Sequence, residues 1–308
     1  MAEHVPVMLA QVLRLLACHA GGIYVDCTVG EGGHALGMVE RAGPRGRVVG
    51  IDRDRAALEV AAARLGPRVD LVHGNYADLG AILDHLGIAA VDGVLLDLGA
   101  SSLQFNDAAR GFAYNLDGPL DMRYDRTAGA SAADLVNSLD AAGLASIIGR
   151  YGEERWAARI ARFIVEARRR SRIERTGQLA EAVKSAIPAA ARRRGPHPAR
   201  RTFQALRIAV NGELASLEAA LPAAVSVTAP GACICVISFH SLEDRIVKRF
   251  FRGLEGECRC PPGLPVCGCG ARAVARVLTA HPIVPDESEV EANPRARSAL
   301  LRAVERRG

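Results

Sequence analysis

The 308-residue sequence predicts an α/β protein: a mostly parallel, Rossmann-like sheet carrying an inserted helical domain. Three observations predict it. Short apolar segments alternate with helical patterns through the first hundred residues, the rhythm of a parallel sheet covered on both faces. A glycine-rich stretch, Asp26-Cys27-Thr28-Val29-Gly30-Glu31-Gly32-Gly33-His34-Ala35, follows the first of those segments. Strand signals then stop between about 105 and 207, where arginine-rich helical periodicity takes over. The length suits two domains, or one with a large insertion. We expect residues 1–104 and 208–308 to form the sheet domain and 105–207 the insertion.

In chain order, His4 to Leu16 reads as helix and Ile23 to Cys27 as the first strand. Val48-Val49-Gly50-Ile51 is the second strand, ending in Asp52, and Arg53 to Leu65 a helix with Ala57, Leu58, Ala61 and Leu65 on one face. Val69 to Val72 and Asp92 to Leu96 are the third and fourth strands, the latter ending in Asp97. In the insertion, Glu153 to Arg170 places Trp156, Ile160, Phe163, Ile164 and Ala167 at helical spacing, so Trp156 is expected in the core. Thr176 to Ile187 is a second helix with Thr176 as its cap. Arg192 to Pro198 is a basic loop. Cys233 to Ile237 resumes the sheet, Leu242 to Phe251 is helical, and Arg276 to Thr279 and Ser298 to Val304 are the final strands.

A hydrophobic content of 49% with 24% charged residues is ordinary for a soluble enzyme. The first residues show no basic segment leading into an apolar core, so no secretory signal is expected. One uncharged run, Ala219 to His240, is long enough to raise a membrane question; Pro222, Pro230 and Gly231 should break it into helix end, loop and buried strand. The expected location is the cytoplasm, with no membrane contact. The net charge of +5 is unevenly placed: Arg150 to Arg207 holds 16 Lys and Arg against 5 Asp and Glu, so the remainder is acidic. That asymmetry suits a polyanionic partner such as a nucleic acid.

The glycine-rich stretch fits G-x-G-x-x-A across Gly30, Gly32 and Ala35, the dinucleotide fingerprint. A dinucleotide would set a pyrophosphate over this turn, where Asp26 and Glu31 would repel it. A ligand carrying a sulfonium and an ammonium would be attracted. Asp52, 22 residues beyond Gly30, suits an acceptor for ribose hydroxyls of either cofactor. The acidic turn therefore favours S-adenosylmethionine over NAD. Tyr76, within His73-Gly74-Asn75-Tyr76-Ala77-Asp78, offers a ring for an adenine, and Asp97 opens Asp97-Leu98-Gly99-Ala100-Ser101-Ser102 at the strand edge where open α/β sheets bind ligands.

Cys258-x-Cys260 and Cys267-x-Cys269 could hold a structural zinc. Cys-x-Cys pairs are less typical than Cys-x-x-Cys, and free thiols persist in a reducing cytoplasm. The expectation is no metal. Cys18, Cys27, Cys233 and Cys235 lie in apolar contexts and should be core.

Several longer strings point to one family: His4-Val5-Pro6-Val7, Thr28 to His34, Asp97 to Gln104, Asp117-Gly118-Pro119-Leu120-Asp121-Met122-Arg123, Ala205 to Leu214, Ser238-Phe239-His240-Ser241-Leu242-Glu243-Asp244-Arg245 and Asn293 to Ser298. In order, and across nearly the whole chain, they resemble the bacterial small-subunit ribosomal RNA cytosine-N4 methyltransferases, the RsmH or MraW family. The resemblance implies a class I S-adenosylmethionine-dependent methyltransferase core, S-adenosylmethionine as donor, and a cytidine in the decoding region of 16S ribosomal RNA as target. It carries cofactor contacts to Gly32, Gly33, His34, Asp52, Asp97 and Gln104. The family's aromatic contact, usually Phe, falls on Tyr76, which keeps the ring and adds a hydroxyl.

With the methyl group supplied by the sulfonium, the protein has mainly to position an amine for in-line attack. Cytosine N4 is a poor nucleophile, and an acceptor for its hydrogens would help; Asp97 and His240 are the catalytic candidates. The target base must leave its stack, which is easiest in single-stranded RNA. Arg192, Arg193, Arg194, Arg200 and Arg201 are the expected RNA-holding residues, in the context of the small ribosomal subunit. Three rivals stay open: an amine methyltransferase acting on DNA or protein, an NAD-dependent oxidoreductase, and a non-catalytic RNA-binding factor. A homodimer is also left open.

Overall fold

The computed structural model describes residues 6–192, 197–256 and 272–308. The chain divides into two compact units, residues 1–99 with 214–308, and residues 100–213.

The first unit begins with α1 (Leu9–Leu15), β1 (Ile23–Asp26), α2 (Gly33–Ala42) and β2 (Arg47–Asp52). It continues with α3 (Arg55–Leu65), β3 (Val69–His73), α4 (Leu79–His85) and β4 (Val91–Asp97). Asp54 starts α3 by accepting the Ala56 amide at 3.1 Å, and α3 turns Ala57, Ala61 and Leu65 inward. The second unit is helical: α5 (Ser102–Asn106), α6 (Ala132–Ser138), α7 (Ala141–Gly152), α8 (Ala157–Arg170), α9 (Thr176–Ala186), α10 (Ala189–Arg192) and α11 (Arg200–Asn211). The chain then returns through α12 (Glu213–Val227), β5 (Thr228–Ser238), α13 (Ser241–Leu254), β6 (Ala275–Val277), α14 (Glu287–Ala292) and β7 (Leu300–Arg306).

Among the described residues seven strands form one sheet in the order β3-β2-β1-β4-β5-β7-β6. β1 to β5 are mutually parallel, and β7 runs antiparallel to both its neighbours. The Rossmann-like, mostly parallel sheet expected from the sequence is what forms. Each strand feeds both faces by its period of two: Tyr24 joins one core cluster with Val48 and Leu95, while Val25 joins the other with Val49 and Val94. Burying such side chains stabilises the fold by about 1.5–3 kcal/mol each.

The uncharged run from Ala219 behaves differently from expectation. Pro222 sits inside α12 without ending it, because Leu217, Ala220, Leu221 and Ala224 anchor that helix in the core beneath the sheet. No loop intervenes before β5, and Pro230 is accommodated where the β4–β5 register shifts between Val91 and Gly93. Among the described residues no single helix is long and apolar enough to cross a membrane.

In the helical unit Trp156 lies at the start of α8 and packs partly buried against the unit's own core. The helical periodicity read from Glu153 belongs to α8, which begins only at Ala157, because Glu153 takes a left-handed φ of 46° after α7. Thr176 does not cap α9. It is the first helical residue, fully buried, and its hydroxyl donates to the Leu116 carbonyl at 2.7 Å. Gln178 does the capping instead, accepting the amides of Glu174 and Arg175 at 2.8 and 2.9 Å.

Candidate active site

The strand order reverses between β1 and β4, and an open α/β sheet binds its ligand at the carboxyl ends beside such a reversal. Three carboxylates stand there. Asp26 ends β1, Asp52 ends β2 and Asp97 ends β4. Asp26 registers with Gly50 on one neighbour and Leu95 on the other, so Asp52 and Asp97 each lie two residues farther along. Two residues is one full pleat, so the three acids start from one face of the sheet.

The glycine-rich turn closes over this edge. Gly30 and Gly32 take φ of 50° and 81°, a region that favours glycine, and Gly32 is the residue from which α2 springs. A Cβ on Gly32 would come within 2.8 Å of Leu65 Cδ1, and one on Gly33 within 3.0 Å of Pro6. The turn is held to the second strand through Asp52: Gly30 N donates to Oδ2 and Asp54 N to Oδ1, both at 2.9 Å. Burial raises the Asp52 carboxyl to about 6 even against the amides of Asp54, Gly30 and Arg53.

Asp26 is only 1% exposed. Its Oδ1 accepts the Thr28 amide at 3.2 Å, and its Oδ2 has no partner. Burial, with the Asp52 charge adding to it, pushes this carboxyl up to about 7. Asp97 is fixed at its backbone, where its amide donates to the Thr28 hydroxyl at 2.7 Å. Its Oδ1 is buried without a partner, and its Oδ2 faces His34 Nδ1 at 3.7 Å. Burial first, then the charges of Asp26 and Glu243, hold the Asp97 carboxyl well above the usual range. His34, 5% exposed, has its Nε2 at 2.9 Å from the Val7 carbonyl. A carbonyl only accepts, so Nε2 carries the proton and the Nδ1 position is left toward Asp97.

Along the edge, Tyr76 follows Asn75, whose side chain accepts the Ala77 amide and donates to Ser216 Oγ, both at 3.1 Å. The Tyr76 ring packs half-buried against the core beneath the sheet. At the far end, His240 caps α13: its Nδ1 accepts the Glu243 amide at 3.4 Å and its Nε2 lies 3.2 Å from Glu243 Oε1. Glu243 Oε2 in turn accepts the amides of Phe239 and His240. Ser238 directs its hydroxyl to the Leu300 carbonyl at 3.3 Å.

The structure thus gathers Gly32, Gly33, His34, Asp52, Tyr76, Asp97 and His240 in one unit, on the turns at one sheet edge. Gln104 belongs to the helical unit, where its Oε1 accepts the Ser101 amide at 2.9 Å in a capping box. Arg192 ends α10, Arg200 is exposed at the start of α11, and Arg201 donates to the Glu153 carbonyl at 2.9 Å. Arg193 and Arg194 lie outside the described residues, as do Cys258, Cys260, Cys267 and Cys269. Sequence reasoning passed over the burial of Asp26 with its unpartnered Oδ2, and the His34–Asp97 pair. Neither has a local signature, since both depend on β4 being brought beside β1 and the turn that follows it.

The model of a family described as the MraW methylase family matches residues 1–307. A ribosomal RNA small subunit methyltransferase H from Symbiobacterium thermophilum is 54% identical over 305 residues, covering 98% of this chain and 96% of that one. A protein of the same name from Geotalea uraniireducens is 55% identical over 307 residues, covering 99% and 98%. Among solved structures, an rRNA methylase from Clostridium thermocellum described as putative superposes with a TM-score of 0.46 at 14% identity, covering 99% of this chain and 100% of that one.

Proposed function

Because the chain belongs to the MraW methylase family, we propose that it transfers a methyl group from S-adenosylmethionine to the exocyclic N4 amine of a specific cytidine in the decoding region of 16S ribosomal RNA. The carrying observation is the edge at the strand reversal, where Asp26, Asp52 and Asp97 surround a left-handed glycine turn. Such an edge repels a pyrophosphate and suits a donor that joins a ribose to cationic groups. Two buried carboxylate oxygens without partners, on Asp26 and Asp97, are what an absent cationic or hydrogen-donating ligand would satisfy.

In this reading the Gly32–His34 turn holds the methionine end, Asp52 accepts the ribose hydroxyls, and the Tyr76 ring lies against the adenine. Gln104 supplies a further contact. The bound donor contributes an electrophilic methyl group on sulfur. Asp97, whose Oδ1 is uncommitted within the chain, accepts an N4 hydrogen of the base when ionised. His240 orients the base from the cap of α13. Arg192, Arg193, Arg194, Arg200 and Arg201 hold RNA phosphates, in the small ribosomal subunit and in the cytoplasm.

Labelled donor, unmethylated small subunits and mapping of the modified nucleotide test the whole reading. Label at a single cytidine N4 is the expected result; label on protein or DNA, or none, overturns it. A thermal-shift comparison of S-adenosylhomocysteine with NAD tests the cofactor separately, with stabilisation by the former alone expected.

A further inference from the structure

We propose that Asp26 and Asp97 form a charge-discriminating subsite, which takes up the cationic methyl donor in exchange for a proton and holds the neutral thioether product less tightly. This rests on the donor site proposed above and adds a specificity role for Asp26.

Asp26 is nine-tenths and more buried; its Oδ1 accepts the Thr28 amide at 3.2 Å, the Ala35 amide and the Thr28 hydroxyl also favour its charged form, and its Oδ2 is left without a hydrogen-bond partner. Burial outweighs those donors, so the carboxyl is held toward its neutral form. Asp97, one pleat farther along the neighbouring strand, buries a second unpartnered oxygen. The groups acting on the pair come from every element around it. Asp52 at the end of β2 and the Cys27 thiol, itself buried, lie on the Asp26 side. Glu243 of α13 and His34 of α2 lie on the Asp97 side. Asp52 and Glu243 are acids, so the balance of charge opposes ionisation of both members of the pair. With no ligand, the pair therefore retains a proton that an exposed carboxyl would lose.

A sulfonium adds one positive charge at this edge, which makes the deprotonated pair the stable form. The thioether lacks that charge and leaves the proton in place. The methyl transfer balances on the same account: the S–CH3 bond breaks with its electrons going to sulfur, the N4–C bond forms, and one N4 hydrogen leaves as a proton. The pair regains a proton as the sulfonium charge disappears, and the product is held by one attraction fewer.

Isothermal titration of the full-length protein at pH 6.5, in two buffers of different ionisation enthalpy, reads the protons exchanged on binding each ligand. S-adenosylmethionine should release about one proton more than S-adenosylhomocysteine. Between pH 5.5 and 7 the donor's Kd should tighten by up to about tenfold per pH unit, while the product's changes far less. Asp26→Asn should abolish most of that difference and retain product binding. The wild-type comparison needs no variant, so a folding defect in Asp26→Asn does not shelter the idea. Equal proton release by the two ligands overturns it, as does an undiminished pH effect in Asp26→Asn. A wild type that binds neither ligand removes the donor site itself and this inference with it.

Discussion

The amide of Gly30 donates to Asp52 Oδ2 at 2.9 Å, tying the turn after β1 to the end of β2 across 22 residues. The second oxygen of the same carboxylate accepts Asp54 N at 2.9 Å, so one side chain shapes both the turn and the start of α3. A ribose acceptor held on both oxygens is oriented before any ligand arrives.

Asp52→Asn keeps the size but turns one acceptor into an NH2 group facing a backbone N–H. One of the two amides then loses its partner, at about 1–3 kcal/mol. The expected outcome is a lower melting temperature and at least about tenfold weaker S-adenosylhomocysteine binding, the latter equal to about 1.4 kcal/mol. Binding and melting like wild type would show that Asp52 does neither job.

The two left-handed glycines should not tolerate alanine equally. At Gly32 a Cβ meets Leu65 Cδ1 at 2.8 Å in addition to the unfavourable φ, whereas at Gly30 the nearest atom is the Thr28 carbonyl at 3.8 Å. Gly30→Ala should therefore cost about 1 kcal/mol from backbone strain alone, and Gly32→Ala clearly more. Chemical denaturation of both variants ranks them; the reverse order would contradict the packing around the turn.

Stability without ligand should fall as the pH rises. Asp26 and Asp52 titrate at about 7 and about 6 in the fold against an ordinary 3.8. Their protonated forms favour the folded state below about pH 4, and that contribution is lost as the pH climbs through 6 to 7. Asp26→Asn, which cannot ionise, should gain melting temperature over wild type at pH 8 and lose the advantage by pH 5. Parallel melting curves across that range would refute it.

His240→Ala removes a helix cap as well as a ring at the sheet edge. Loss of the cap should lower stability by about 1 kcal/mol. Turnover should drop far more than cofactor affinity does. If turnover survives, His240 is a cap and nothing else.

Replacing Arg192, Arg193, Arg194, Arg200 and Arg201 with Gln should flatten the salt dependence of RNA binding, each lost phosphate contact on a single strand taking about 0.7 from the slope. Arg201→Gln also gives up its bond to the Glu153 carbonyl, so its melting temperature serves as a control. A wild-type slope in the combined variant would move the RNA surface elsewhere.

Much of the sheet was legible because apolar strands such as Val48 to Ile51 carry their burial in one short window, and Asp26 and Asp97 end their strands where glycine-rich or small residues follow. The helical unit was read less well. Its α6 and α7 lack the contrast between arginine and apolar faces that made α8 visible, and the start of α9 misled because Thr176 looks like a cap while its hydroxyl is used at Leu116. Pro222 misled in the opposite direction, since core packing outweighs the missing N–H.

By itself, the sequence determined the parallel α/β sheet, the glycine turn and the acids at the strand ends, because period, turn chemistry and strand-end charge are local properties of the chain. Only the tertiary structure decided the state of those acids. Asp26 becomes a buried carboxyl with a bare oxygen, and Asp97 comes to face His34, when the strand order reverses between β1 and β4. Desolvation and the approach of like charges depend on what packs around a group in space, and no stretch of sequence contains its own surroundings.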